Sequence, residues 1–442
     1  MTMSKTSDGP VRLLVLGAGN RGGHAYAGWT LERPDQATVT AIADPNDERR
    51  DVVSAQHAIE ARHQFADWRD ALAAPGPWDA VIIATPDRHH VDPAIRALEL
   101  GYDILLEKPI APTPEGLHRL AAAAQDRPGA ITVAHVMRYT PFAQTLRQLL
   151  DERRIGELQG IEWAENIAYW HFAHSYVRGN WHRSDTSSPM VLAKACHDLD
   201  MLRWLVGARY TAVSSFGERR HFRIESAPDG STERCIDGCA VADTCPYNAE
   251  RFYVEQLAGI DGPPVTALTV DTSVAGRRKA LRETDYGRCV YRMDNDVVDH
   301  QTASLQFANG VTASLVVSAF TSQNTRQITL MGSHGEITGD LRTGRIETVR
   351  FIDVLPRVGK QQSGAVQVGP PSHSVVEDVA EAFGGHSGGD DGIMADFIHR
   401  IRQRRAGWPV EAARSSLEES MESHWVAFAV ERARQNGTVE RL

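Results

Sequence analysis

The sequence predicts an α/β chain, with an N-terminal doubly wound parallel domain and a C-terminal α+β domain built on an open, mostly antiparallel sheet. Three observations carry this. Five short apolar runs alternate with helical patterns over residues 1–135, a glycine-rich turn follows the first run, and beyond residue 136 apolar and polar residues begin to alternate singly.

The apolar runs are 11–16, 39–43, 80–84, 104–106 and 131–134, each short and unbroken as in strands buried on both faces. Helical patterns at 90–99 and 114–125 supply crossovers. In the second domain, 299–308 and 311–320 flank Asn309-Gly310, a dipeptide suited to a two-residue hairpin with positive φ at both positions. Runs 327–331 and 336–341 add further strands, a helix spans 190–205, and two long helices fall at 392–405 and 410–435, the last stopped by Gly437. The stretch 358–389 is rich in Gly, Ser and Pro and reads as irregular loop.

A chain of 442 residues accommodates two domains, 1–135 and 136–442, the second carrying a cysteine-containing insertion at about 217–290. Its 57 acidic against 47 basic side chains give a net charge of −10, which argues against nucleic acid or an anionic membrane as partner. No apolar run reaches the roughly 18 residues of a membrane span. The polar first ten residues lack a secretory core, so a cytoplasmic location is expected.

Gly17-Ala-Gly19-Asn20-Arg21-Gly22 follows a predicted strand and opens a predicted helix, the context in which such glycines cradle a pyrophosphate. Asp44 ends the second strand, where a carboxylate accepts from ribose hydroxyls and repels a 2′-phosphate. The expected cofactor is NAD in preference to NADP, with Arg49 and Arg50 keeping NADP open. The first domain is therefore expected to be a Rossmann domain that binds NAD.

Glu107-Lys108-Pro109 lies at the carboxyl edge of a predicted parallel strand. Taken with Thr85-Pro86 and His90 before it, and with Arg138-Tyr-Thr-Pro141 and Ile155-Gly156-Glu157 after it, the chain resembles the Gfo/Idh/MocA (glucose–fructose oxidoreductase/inositol dehydrogenase-like) family from residue 11 to about 339. The resemblance implies an open C-terminal sheet that often mediates oligomerisation, here a homodimer or homotetramer. It also implies that Thr85, Pro86, His90, Glu107 and Lys108 border the cofactor, with Lys108 aimed at the substrate. Members usually carry an Asp four residues before the histidine matched by His197; here that position is Ala193. Lys194, three residues before His197, is expected on the same helical face, and Lys108, His197 and Lys194 are the expected catalytic groups.

Tyr169, His171, His174, Arg178 and Trp181 form a stretch whose rings and donors suit a sugar, and with Arg138 and His386 they are the expected substrate contacts. The glycines around His386 suggest a lid over residues 384–391. Cys235, Cys239, Cys245 and Cys289 suggest a structural zinc site, against the alternative of free reduced thiols. The expected activity is hydride transfer between NAD and a carbinol carbon of a sugar, sugar acid or cyclitol. Two alternatives stay open: a glycoside hydrolase or lyase that recycles NAD, and a non-catalytic NAD-binding sensor.

Overall fold

A computed structural model describes residues 9–354, 356–357, 367–368, 373–379 and 385–442. Much of the expected loop 358–389, including Gly384, lies outside the described residues, as does most of the polar start.

The first sheet consists of β1 (Val11–Leu16), β2 (Ala37–Ala43), β3 (Gln64–Phe65), β4 (Ala80–Ile83), β5 (Asp103–Leu106) and β6 (Ile131–Val133), in the order β3-β2-β1-β4-β5-β6. Every neighbouring pair is parallel. The order reverses between β1 and β4, and in such sheets the crevice beyond the strand ends at that point is where a dinucleotide lies. The two-residue β3 is too short to leave an apolar signature, and the sequence reading missed it.

Among the described residues the second sheet has nine strands. Ser374–Asp378 and Val439–Arg441 form its edges, and between them run β13 (Arg345–Arg350), β12 (Gly335–Asp340), β11 (Thr325–Gly332), β7 (Leu158–Ala168), β10 (Thr312–Thr321), β9 (His300–Phe307) and β8 (Tyr210–Glu218). All pairs are antiparallel except β7 with β10. Burial alternates strictly along β9 and the first half of β10, so one face packs inward and the other stays open. The β9–β10 turn departs from expectation: only Gly310 of the pair has positive φ, and Phe307 N–H donates to Val311 O across a longer turn.

Two further expectations are corrected. The predicted helix 190–205 is two helices, Met190–Ala193 and Cys196–Val206, broken at Lys194-Ala195. The last long helix begins at Leu417, capped by Ser416, instead of at 410. The preceding helix, Gly389–Arg405, returns to the first domain. Its Ile393, Met394, Phe397, Ile398 and Ile401 pack with Val11, Leu13 and Val15 under the parallel sheet. Burial of such side chains contributes about 1.5–3 kcal/mol each, enough to hold the C-terminal segment across the cofactor domain.

Candidate active site

The glycine-rich turn has the shape that a pyrophosphate needs. Gly17 has φ +100°, and a Cβ there would stand 2.4 Å from the Ala84 carbonyl oxygen. A Cβ on Gly22 would meet Gly17 O at 1.9 Å, so only glycine lets the helix close on the strand. Gly19 faces open space, and among the described residues no side chain caps the helix Asn20–Ala27 that it begins. Its free N–H groups are available to an anion. Asp44 is buried at the end of β2, where its carboxylate accepts from the amides of Ala18 (2.6 Å) and Asn46 (2.8 Å). Arg50 is occupied by the Asp44 carbonyl and the Asp47 carboxylate. These residues fit a dinucleotide.

Behind the turn, Arg21 joins two elements distant in sequence. Its Nε donates to Glu107 Oε1 at 2.6 Å, and its two terminal nitrogens grip the Asp390 carboxylate at 2.7 and 2.8 Å. Tyr26 donates to the same Glu107 oxygen. Burial opposes ionisation of Glu107, but the charges of Arg21 and Lys108, with hydrogen bonds from Tyr26 and Arg21, outweigh it and hold the carboxyl below its usual range. Residues 385–391, expected as a lid, are thus pinned to the first domain; Asp391 adds an ion pair with Arg33. Sequence reasoning missed Tyr26, and it missed the Arg21–Asp390 pairing, because neither has a local signature.

His90 is buried between two loops, its ring nitrogens 2.7 Å from the carbonyl oxygens of Thr85 and Pro109. It fixes the geometry around the cis Lys108–Pro109 bond. Thr85 Oγ1 donates to His89 O, closing the loop that carries Pro86.

Lys108 Nζ donates to the Ala193 carbonyl oxygen at 2.9 Å and sits 5.5 Å from the centre of the Trp181 ring. In an unbroken helix that carbonyl would take the His197 amide; the break at Lys194-Ala195 releases it to the ammonium. His197 is buried beyond the break, its Nδ1 without a partner among the described residues. Burial first, then the charges of Lys108 and the neighbouring His135, hold it well below the usual histidine range. It is therefore a neutral imidazole beside an ammonium. The rings of His386 (6.1 Å) and His135 (5.6 Å) flank it.

Lys194 does not share a helical face with His197, because the helix is broken between them. Its ammonium pairs with Glu165 on β7 at 3.0 Å, in a buried chain continued by Arg326 and Asp198. Arg138 also departs from expectation. It is fully buried and grips Asp200 at 2.7 Å through two nitrogens, so it braces the helix Cys196–Val206 and does not face a substrate. The aromatic stretch divides. Trp181 lies at Lys108, anchored on Asp87. His171 bonds Asn324, and burial, with the charge of Lys194, pushes it down to about 3. His174 bonds the Tyr253 hydroxyl, while Arg178 donates to Arg288 O and Tyr247 O, so both face the insertion. Tyr169 packs against Tyr247 of the same insertion.

A glycine-rich turn at the switch point, with the Lys108 ammonium beyond the neighbouring strand end and buried His197 on the facing helix, is the arrangement of a two-domain, dinucleotide-dependent oxidoreductase. Residues 11–135 match the family model for an oxidoreductase family with an NAD-binding Rossmann fold, and residues 143–338 match the GFO/IDH/MocA C-terminal domain. The chain belongs to the Gfo/Idh/MocA family. It is 25% identical to scyllo-inositol 2-dehydrogenase (NAD(+)) of Bacillus subtilis (strain 168), over 75% of this chain and 81% of that one. It is 31% identical to an inositol 2-dehydrogenase of Corynebacterium glutamicum (strain R), over 46% of this chain and 56% of that one. Its fold is shared by levoglucosan dehydrogenase in complex with NADH and L-sorbose, with TM-score 0.68 and 17% identity over 98% and 99% of the two chains.

Proposed function

We propose that the protein is an NAD-dependent dehydrogenase that oxidises a carbinol carbon of a sugar, sugar acid or cyclitol, or reduces the corresponding ketone. The observation that carries this reading is the Lys108 ammonium, seated beyond the end of β5 on the Ala193 carbonyl, with the buried His197 on the helix that follows. Bound NAD⁺ supplies the hydride acceptor. Lys108 donates a hydrogen bond to the reacting oxygen and stabilises the charge that develops there as the hydroxyl proton departs. His197, a buried imidazole on the facing helix, is the group assigned to take up that proton transiently. Trp181 offers a ring face to the substrate, and His171, Lys194 and His386 complete the wall. Asp44, held by two amides, favours NAD over NADP, and the engagement of Arg50 supports the same preference.

The open face of the nine-stranded sheet, with Val316 and Phe320 exposed, is read as the contact between subunits of a homodimer or homotetramer. Light scattering of the purified chain tests this, and a monomer would remove it. Ala193 favours a second reading. Position 193 offers Lys108 its backbone carbonyl and no side-chain carboxylate, and the second reading is transient oxidation followed by elimination from a glycoside. A substrate panel of polyols, sugars and aryl glycosides, followed for both NADH and leaving-group release, separates the two readings.

A further inference from the structure

Residues 219–299, between β8 and β9, contain no named strand, only short helices and the ten-residue helix Val274–Glu283. One part of the segment packs into the main core through Phe222, Tyr247, Val290, Tyr291, Met293, Val297 and Val298. The rest, around Ala249, Tyr253, Val254, Leu268, Ala280 and Leu281, has only a small apolar cluster of its own, the kind of unit that an added staple holds in one conformation.

Four of the five cysteines meet there. Cys235, Cys239, Cys245 and Cys289 line one narrow cavity together with Arg178 and Tyr247. The backbone brings them in from three places. Arg234 and Arg288 form an antiparallel bridge, Cys235 N–H donates to Gly287 O, and Cys289 N–H donates to Glu233 O, so these two cysteines flank the arginine pair diagonally on one face of the bridge. A turn in which Ala242 N–H donates to Cys239 O, and Cys245 N–H to Val241 O, returns the other two to the same wall.

An independent observation points to a missing anion. Arg178 is buried, and its guanidinium donates to two carbonyl oxygens and to Cys235 Sγ at 3.5 Å. Among the described residues no carboxylate pairs with it, and a buried cation without a counter-charge is costly. Four thiolates around a divalent ion carry two net negative charges at that position.

We propose that Cys235, Cys239, Cys245 and Cys289 bind one Zn²⁺ as a closed tetrathiolate site, with Arg178 as its counter-charge. As the side chains stand, no three His, Cys, Asp or Glu groups among the described residues are arranged to hold an ion. Binding therefore turns the four sulfurs inward across the cavity they line. Each thiol gives its proton to solvent, four per ion, and nothing is oxidised or reduced. The ion ties the insertion to the segment that carries His174, Arg178 and Trp181, and so to one wall of the pocket. The fifth cysteine, Cys196, does not compete: it is enclosed in the core, where burial pushes its thiol up to about 12.

The test is metal analysis of the full chain purified under reducing conditions from zinc-supplemented cells, alongside Cys289→Ser, Cys235→Ser and a Cys196→Ala control. The expected result is about one zinc per wild-type chain and per Cys196→Ala chain, with at least a tenfold loss in the other two. Cobalt exchanged into the wild type is expected to show the intense sulfur-to-metal absorption of a tetrathiolate. A folded wild type holding less than about 0.1 zinc per chain after incubation with stoichiometric Zn²⁺ overturns the proposal. So does a preparation carrying iron with sulfide, or one whose mass shows these cysteines joined as disulfides.

Discussion

Lys108 Nζ and the Ala193 carbonyl oxygen stand 2.9 Å apart, a contact made possible because the helix carrying Ala193 stops before Lys194. The ammonium is thereby aimed from β5 across to the second domain, beside a histidine that burial keeps neutral. On this account Lys108→Ala removes the donor to the reacting oxygen and lowers kcat/KM by about 10²–10⁴-fold. NAD affinity, read by fluorescence quenching, stays within a few fold, since the cradle is built by Gly17, Gly19, Gly22 and Asp44. Comparable losses in both measurements would place Lys108 in cofactor binding alone.

Buried histidines make stability depend on pH. His135 and His197 are held well below their usual range, and His424 is pushed down to about 3, in each case by burial first. In the unfolded chain each titrates near 6.5. Below that pH the unfolded state binds protons that the native state refuses, so stability is complete above about pH 6.5 and falls as the pH drops. Each such histidine contributes a loss of up to about 1.4 kcal/mol per pH unit. Melting temperatures measured from pH 8 to pH 5 are expected to hold steady and then decline below about 6.5; a rise on acidification would contradict the neutral assignment.

The Arg21–Asp390 pair is the clamp between the glycine turn and the C-terminal helix. Asp390→Ala leaves the Arg21 charge with Glu107 only and is expected to cost about 3 kcal/mol in urea unfolding. It is also expected to raise the KM for NAD, because Arg21 sits within the glycine turn and Asp390 fixes its position. Loss of stability with an unchanged KM would make the pair a purely structural tie.

His386 and Ser387 precede Gly388 with φ of 51° and 54°, left-handed values unfavourable for both side chains. Ser387 is exposed and makes no hydrogen bond among the described residues. Ser387→Gly is expected to stabilise the protein by about 1 kcal/mol with no change in kcat. Destabilisation would show that the serine has a role of its own at this bend.

Asp44→Ser removes the carboxylate that repels a 2′-phosphate. It is expected to raise the KM for NAD about tenfold and to narrow the preference over NADP. Unchanged discrimination would move selectivity to other residues.

The sequence disclosed what local chemistry determines. Gly17, Gly19 and Gly22 are legible because their spacing falls between a strand and a helix within a few residues, and Asp44 follows from its place at a strand end. The place of Lys108 just beyond the end of β5 was legible through the triplet around it. Arg138 was not: its side chain is claimed by Asp200, on a helix that only the tertiary fold brings near. The helix break at Lys194 was hidden as well, because 190–205 reads as one apolar helix and the pull of Glu165 comes from a strand in another layer. His174 and Arg178 looked like substrate contacts because nothing in the sequence shows that the insertion folds back over them.

The most direct test of the account is NADH formation at 340 nm across a panel of cyclitols, sugars, sugar acids and aryl glycosides, with products identified in parallel. The account predicts one NADH for each substrate oxidised, abolished in a Lys108→Ala protein that still binds NAD. Cleaved glycoside with no accumulating NADH would contradict it and make the chain a redox-recycling glycosidase or lyase.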